Sequence, residues 1–187
     1  DDRAAGRVTP RGQYTKDFGH HSNAHLRGTK ADAWEGGHRV PLIVRWPDRI
    51  KAGATHDGLV CLTDFVATCA AITGVRLPSS GAGEDSISML PALAGGKSRR
   101  DDVVLHTLRG MFVLRSGPWK LIEGRGSGGF SQPVARPPKA PSEPEGQLYH
   151  LEKDPQETRN LWADHPEVVR QLREKLDRYR SMPSTRS

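Results

Sequence analysis

The run Arg27-Gly28-Thr29-Lys30-Ala31-Asp32-Ala33-Trp34-Glu35-Gly36-Gly37-His38-Arg39-Val40-Pro41, continued by Leu42-Ile43-Val44-Arg45-Trp46-Pro47, decides how this chain is read. Val40 to Trp46 is β-branched and aromatic, apolar apart from Arg45, and bracketed by Pro41 and Pro47. That pattern predicts a mostly buried strand whose ends are set by proline. The first part reads as a loop. Gly36-Gly37 admits positive φ and the close approach of another backbone. Lys30, Glu35, His38 and Arg39 gather just ahead of the apolar run, so they are expected either to pair with one another or to face a ligand.

Around this stretch, composition bounds the possibilities. The chain has 187 residues, 35% hydrophobic and 27% charged, enough for one domain or slightly more. Its apolar stretches are interrupted within about ten residues, too short to span a bilayer. It opens Asp1-Asp2-Arg3, with neither an initiator Met nor an apolar leader, and is expected to be a mature or truncated piece. The net charge is +6, but the 28 Lys and Arg are dispersed and do not alternate with aromatics, so no nucleic-acid partner is expected. Cys61 and Cys69 lie eight residues apart. On a helix they would stand about 12 Å apart along the axis, too far to bridge, and they read as buried small hydrophobes.

Lys30 followed by Trp34-Glu35-Gly36-Gly37-His38-Arg39-Val40-Pro41 and Arg45-Trp46-Pro47 resembles the sulfatase family, most closely its arylsulfatase A-like bacterial branch. The resemblance implies that Lys30 reaches into the active site and binds sulfate. The chemistry suits it: an ammonium is a compact point charge that can stabilise negative charge growing on a leaving oxygen. Relatives also show a His-x-Ser spacing about ten residues before the lysine. His20-His21-Ser22 is similar, which implies that His20 lines the substrate pocket. Lys30 and His20 are therefore the candidate catalytic and substrate-binding residues. His20, His21, His25 and His38 fall within nineteen residues. No carboxylate or cysteine completes a zinc ligand set with them, and no metal ligand is assigned.

Farther along, Thr63 or Asp64 can cap a helix in which Phe65, Val66, Cys69, Ala70 and Ile72 recur at helical spacing until Gly74. Asp64, Thr68 and Thr73-Gly74 also resemble a structural helix of the family. Pro78 to Ser86 reads as a loop, and Ile87 to Leu93 as a short apolar patch. Val103 to Leu108, Met111 to Ser116, Trp119 to Glu123 and Gln147 to Leu151 are four short apolar-rich runs. Tight breaks at Arg109-Gly110 and Gly117-Pro118 join the first three as a meander. Gly124 to Gly146 is rich in Gly, Pro and Ser. It lacks a phosphate-binding fingerprint and reads as a surface loop, the alternative being that it edges the substrate cleft. Asp154 to Leu161 resembles the family's turn towards its closing helix. Pro166 suits the first helical position, and Val168, Val169, Leu172, Leu176 and Tyr179 make one apolar stripe. This helix is expected to lie across the four-stranded antiparallel sheet. Glu167, Glu174 and Asp177 argue against a membrane surface as its partner.

The resemblance implies an α/β architecture: the C-terminal part of a sulfatase (alkaline phosphatase-like) fold, with a four-stranded antiparallel sheet packed by a C-terminal helix. Residues 1–100 would be part of the α/β core and 101–187 the sheet-plus-helix subdomain. Sulfatases resemble one another in a Cys/Ser-x-Pro-x-Arg motif oxidised to formylglycine and in a calcium held by Asp and Asn. Neither Cys61 nor Cys69 begins that motif, and neither Asn23 nor Asn160 follows an Asp. Nucleophile and calcium are thus expected in an upstream N-terminal sulfatase segment, which this chain would meet as a partner, with a sulfate ester as substrate. The chain alone is expected to be inactive, and export to the periplasm or outside is what such relatives imply. Alternatives are a non-catalytic sulfated-ligand-binding or scaffold module, or a phosphatase or phosphonate-ester hydrolase of the same superfold.

Overall fold

The structure, a computed structural model, describes residues 18–135, 140 and 142–185. A 3₁₀ turn at Glu35–Gly37 precedes a long irregular segment. A second, Leu62–Asp64, runs into helix α1 (Phe65–Thr73), and helix α2 (Leu90–Leu93) follows. Strands β1 (Asp102–His106), β2 (Phe112–Ser116), β3 (Trp119–Ile122) and β4 (Gln147–His150) come next, then helix α3 (Pro166–Ser181).

The strands lie in the order β1-β2-β3-β4. Joined neighbour to neighbour by turns too short for a crossover, the first three must run antiparallel. β3 and β4 pair antiparallel with Trp119 opposite His150, Lys120 opposite Tyr149, Leu121 opposite Leu148 and Ile122 opposite Gln147. Consecutive residues of β3 and β4 are buried, so both faces of these strands are covered and no in/out alternation shows in their sequence. By contact the chain forms two compact units, each assembled from separated segments. One takes the described residues up to Val40, Leu105–Val113 and Pro118–Val169. The other takes Pro41–Val104, Leu114–Gly117 and the residues from Arg170 onward.

In the first unit, Ala33, Trp34, Val113, Ile122, Tyr149 and Leu151 form the core, with Leu105 and Met111 packed against it. The second unit is centred on Asp64, which is buried beneath the start of α1. Its carboxylate accepts the N–H of Cys61 (2.9 Å) and of Ile87 (3.0 Å) and two bonds from the Arg100 guanidinium, one from Nε at 2.8 Å. Asp64 stands at the N-cap position of α1, but its side chain makes no bond to the N–H groups of that helix; it bonds back to Cys61 at the start of the 3₁₀ turn and is half of a buried ion pair. Gly74, at φ 72°, closes α1 in the left-handed conformation. The stripe foreseen on α3 is the side that faces inward, with Leu172 and Leu176 buried. Lys175 Nζ lies 3.0 Å from both Asp102 carboxylate oxygens and 2.9 Å from Ser116 Oγ, which ties α3 to β1 and β2. Tyr179 donates to the same carboxylate at 2.6 Å. Burial, reinforced by that acceptor, pushes its phenol up to about 12.

Four expectations need correction. Val40 to Trp46 is extended but is not a strand, and it is exposed, Ile43 to 91%. A strand exists only through a neighbour, and among the described residues none runs beside it. On α1, Phe65, Val66 and Ile72 face outward while Thr68 and Ala70 are buried, because the inward side is committed to polar bonds: Thr68 Oγ1 accepts Met89 N–H at 3.0 Å and Ala67 N–H donates to Ser86 Oγ at 2.8 Å. The cysteines follow suit: Cys61 is half-buried and Cys69 exposed, both unbridged. Finally, Gly126 to Gly129 is buried, although it was read as surface loop. Among the described residues no helix is long and apolar enough to cross a membrane.

Candidate functional site

The loop carrying Lys30 is held almost wholly through its backbone. Gly36 N–H donates to Arg27 O at 2.7 Å. The Asn23 amide donates to Gly28 O at 2.8 Å and to Gly36 O at 3.0 Å. Asp32 N–H donates to Thr29 O at 3.0 Å, while Thr29 N–H returns a bond to Asp32 Oδ2 at 2.8 Å. The two central glycines serve close approach and not positive φ. A Cβ on Gly36 would stand 2.5 Å from Gly28 O, and one on Gly37 would overlap Asp32 O. Positive φ falls instead on Gly28 (86°) and on Ala31 (79°). For alanine that is a strained conformation, held immediately after Lys30 by its surroundings.

Those surroundings are the glycine-rich loop after β3. Ala33 N–H donates to Ser127 O at 2.8 Å. Phe130 and Ser131 donate their N–H groups to Asp32 Oδ1 at 2.6 and 3.1 Å. A Cβ on Gly129 would overlap the Ala31 carbonyl. The Gln147 amide holds the base of this loop, donating to Gly124 O at 2.8 Å and to Gly126 O at 2.9 Å. The β1–β2 turn completes the frame: Leu108 N–H donates to Ala31 O and Arg109 N–H to Gly128 O, each at 3.2 Å.

Beneath the loop lies a buried charge cluster. Lys120, fully buried on β3, places Nζ 3.0 Å from Glu35 Oε1, 2.9 Å from Glu157 Oε1 and 3.3 Å from His38 Nε2. Glu157 Oε2 accepts Glu35 N–H at 2.6 Å. Glu157 Oε1 is within ion-pair range of Lys120 but off the hydrogen-bonding direction, so its contact is electrostatic only. His38 Nε2 also lies 3.3 Å from Glu35 Oε1, and Arg39 Nη1 3.8 Å from Glu35 Oε2. Burial alone would raise the Glu35 carboxyl, but the His38 hydrogen bond and the Lys120 charge outweigh it and hold it at about 2. Glu157 goes the other way: burial, with Glu35 nearby, raises it in spite of Lys120. Arg27 closes the cluster, its guanidinium 3.7 Å over the Trp34 ring and donating to Glu157 O at 2.6 Å.

The four charged residues of the loop thus divide. Glu35, His38 and Arg39 pair, as one of the two expectations had it. Lys30 is exposed and takes part in no hydrogen bond or ion pair among the described residues. His20 lies in the same unit and is also exposed. Lys120 and Glu157 were missed. The signal for Lys120 was present: a lysine inside the apolar strand Trp119–Ile122 has to find carboxylates. Nothing local announces Glu157, which follows a proline turn and looks like a solvated acid. Among the described residues no group of three His, Cys, Asp or Glu could hold a metal ion, so they do not fit the calcium that the resemblance implies.

Comparison with known proteins identifies the family. The sulfatase family profile matches residues 12–75. The N-acetylgalactosamine-6-O-sulfatase of Bacteroides thetaiotaomicron is 31% identical over 159 residues, 85% of this chain and 30% of its own length. Human arylsulfatase A is 33% identical over 165 residues, covering 80% of this chain and 32% of its own. Among solved structures, one from B. thetaiotaomicron, described for the metabolism of multiple glycosaminoglycans, superposes with a TM-score of 0.73 at 31% identity over 91% of this chain and 35% of its own. A sulfatase from Pseudoalteromonas sp. does so with a TM-score of 0.62 at 26% identity, over 85% and 34%. The chain spans about a third of the length of the relatives it matches. By the profile match, the identity to these relatives and the superposition, the chain belongs to the sulfatase family and carries the C-terminal part of its alkaline phosphatase-like fold.

Proposed function

We propose that this chain is the part of a sulfate-ester hydrolase that grips the sulfate, with Lys30 as the gripping group and His20 lining the same pocket. One observation carries the reading. Every other charged side chain of the 30–39 stretch is committed, Asp32 to backbone N–H groups and the rest to the Lys120 cluster, while Lys30 stays uncommitted on a backbone locked from three sides. An unpaired ammonium carried on a fixed backbone is available to stabilise an oxyanion. On the ester oxygen that gathers charge as the S–O bond breaks, it lowers the barrier. An imidazole at the His20 position can hydrogen-bond the same oxygen.

In this reading the nucleophile and the calcium belong to an upstream segment, as the resemblance implies. A periplasmic or extracellular site of action belongs to the same reading. In the complete encoded polypeptide, Lys30→Ala is expected to lower kcat/KM for an aryl sulfate by at least about 100-fold, the loss typical of a missing oxyanion donor, with an unchanged melting temperature. Turnover unaffected by Lys30→Ala overturns the proposal. Binding of a sulfated ligand by the 187 residues alone, abolished by the same substitution in a polypeptide without turnover, selects the binding-module alternative.

A further inference from the structure

A second uncommitted cation is held next to Lys30. Arg109 sits on the β1–β2 turn, exposed, with no hydrogen bond or ion pair from its side chain among the described residues. The turn itself is wedged in place. Leu108 N–H donates to Ala31 O, the carbonyl after Lys30, and Arg109 N–H donates to Gly128 O. The buried Thr107 beside it accepts Met111 N–H at 3.2 Å, and a Cβ on Gly128 would come within 2.6 Å of its hydroxyl. Lys30 and Arg109 are each one residue from the Ala31–Leu108 bond, which sets their Cα atoms within about 13 Å of each other. Two long side chains at that separation can converge on one small ligand.

The acid nearest Lys30 in the sequence is turned inward. Asp32 is 3% exposed, and both its oxygens are occupied by the N–H groups of Thr29, Phe130 and Ser131. A backbone frame that joins the two cation-bearing loops while the Asp32 carboxylate is buried and bonded raises the local potential for an anion carrying more than one charge. A guanidinium presents a planar fork suited to carboxylate or sulfate oxygens.

We propose that Arg109 is a specificity-determining residue that binds a second anionic group of the substrate, a carboxylate or another sulfate on the same saccharide, while Lys30 holds the scissile sulfate. The inference rests on the Lys30 reading above. The test uses the complete encoded polypeptide with a monosulfated and a disulfated hexosamine. The native protein is expected to favour the disulfated sugar. Arg109→Ala should lower kcat/KM on that sugar about 10- to 100-fold, mainly through KM, as loss of a hydrogen bond to a charged group would, and leave the monosulfated sugar within about twofold. Arg109→Lys should restore part of the loss. No native preference for the disulfated sugar, no effect of Arg109→Ala, or an equal loss on both sugars overturns the inference. If Lys30→Ala abolishes turnover of both sugars while Arg109→Ala fails to discriminate, only the Arg109 assignment falls. If Lys30→Ala leaves both unchanged, the Lys30 reading falls with it.

Discussion

At the scale of single residues, Lys120 is the side chain whose loss should matter most to stability. Its ammonium is the only described cation bridging Glu35 and Glu157, so Lys120→Met would leave Glu157 with no cation and Glu35 with only His38 and Arg39. Breaking such a cluster costs about 3–5 kcal/mol, to be read as a fall in the urea midpoint. The two acids respond to pH in opposite senses. Glu35 has a folded value of about 2, below its ordinary 4.5, so its stabilising contribution is complete above pH 4.5 and is lost as pH falls towards 2. Glu157 is raised, so its contribution is present below 4.5 and is lost as pH rises through its folded value. Glu35→Gln should therefore flatten the acid limb of the stability–pH profile. Glu157→Gln should cost less than Glu35→Gln at pH 7. A larger cost for Glu157→Gln would show that the carboxylate off the hydrogen-bonding direction is not the weaker partner.

At the scale of elements, the Lys30 loop has its shape because three pieces of backbone meet where side chains would not fit. Gly37→Ala puts a methyl group into the Asp32 carbonyl, which only a shift of the loop relieves. The expected outcome is a lowered melting temperature together with a sulfate-ester kcat reduced more than 10-fold, since Lys30 moves with the loop. In the second unit, Arg100→Ala leaves Asp64 buried and charged beneath α1. A loss of about 3–5 kcal/mol is expected, and amide exchange should rise first in Phe65–Thr73. The Gly-rich loop shows why composition misleads about burial. Its glycines read as surface, yet Ser127, Gly128 and Gly129 are inside because lack of side chains lets three backbones pack.

At the scale of the molecule, the second unit exposes Leu42, Ile43, Val44, Leu62, Phe65, Val66, Ile72 and Val75. Exposed apolar side chains that form a contiguous patch favour association. The 187 residues by themselves are expected to self-associate with rising concentration in sedimentation velocity, and Ile43→Lys with Val66→Lys should shift them towards monomer. A sharp monomer boundary at every concentration, before substitution, would contradict this. Turnover of an aryl sulfate by the 187 residues alone is expected to be absent.

Much of this was legible in order along the chain. The meander and its turns, the stop of α1, the extent of α3 and its buried stripe, and the family resemblance of the Lys30 motif all follow from local pattern, because each depends on neighbours a few residues away. What the tertiary structure alone decided lies in contacts between distant segments. Glu35 meets Lys120 across 85 residues and Glu157 across 122, and no periodicity encodes such a meeting. The same holds for the exposure of Val40 to Trp46. Its residues state a strand's preference, but a strand is a property of two chains side by side, and the second is not among those described.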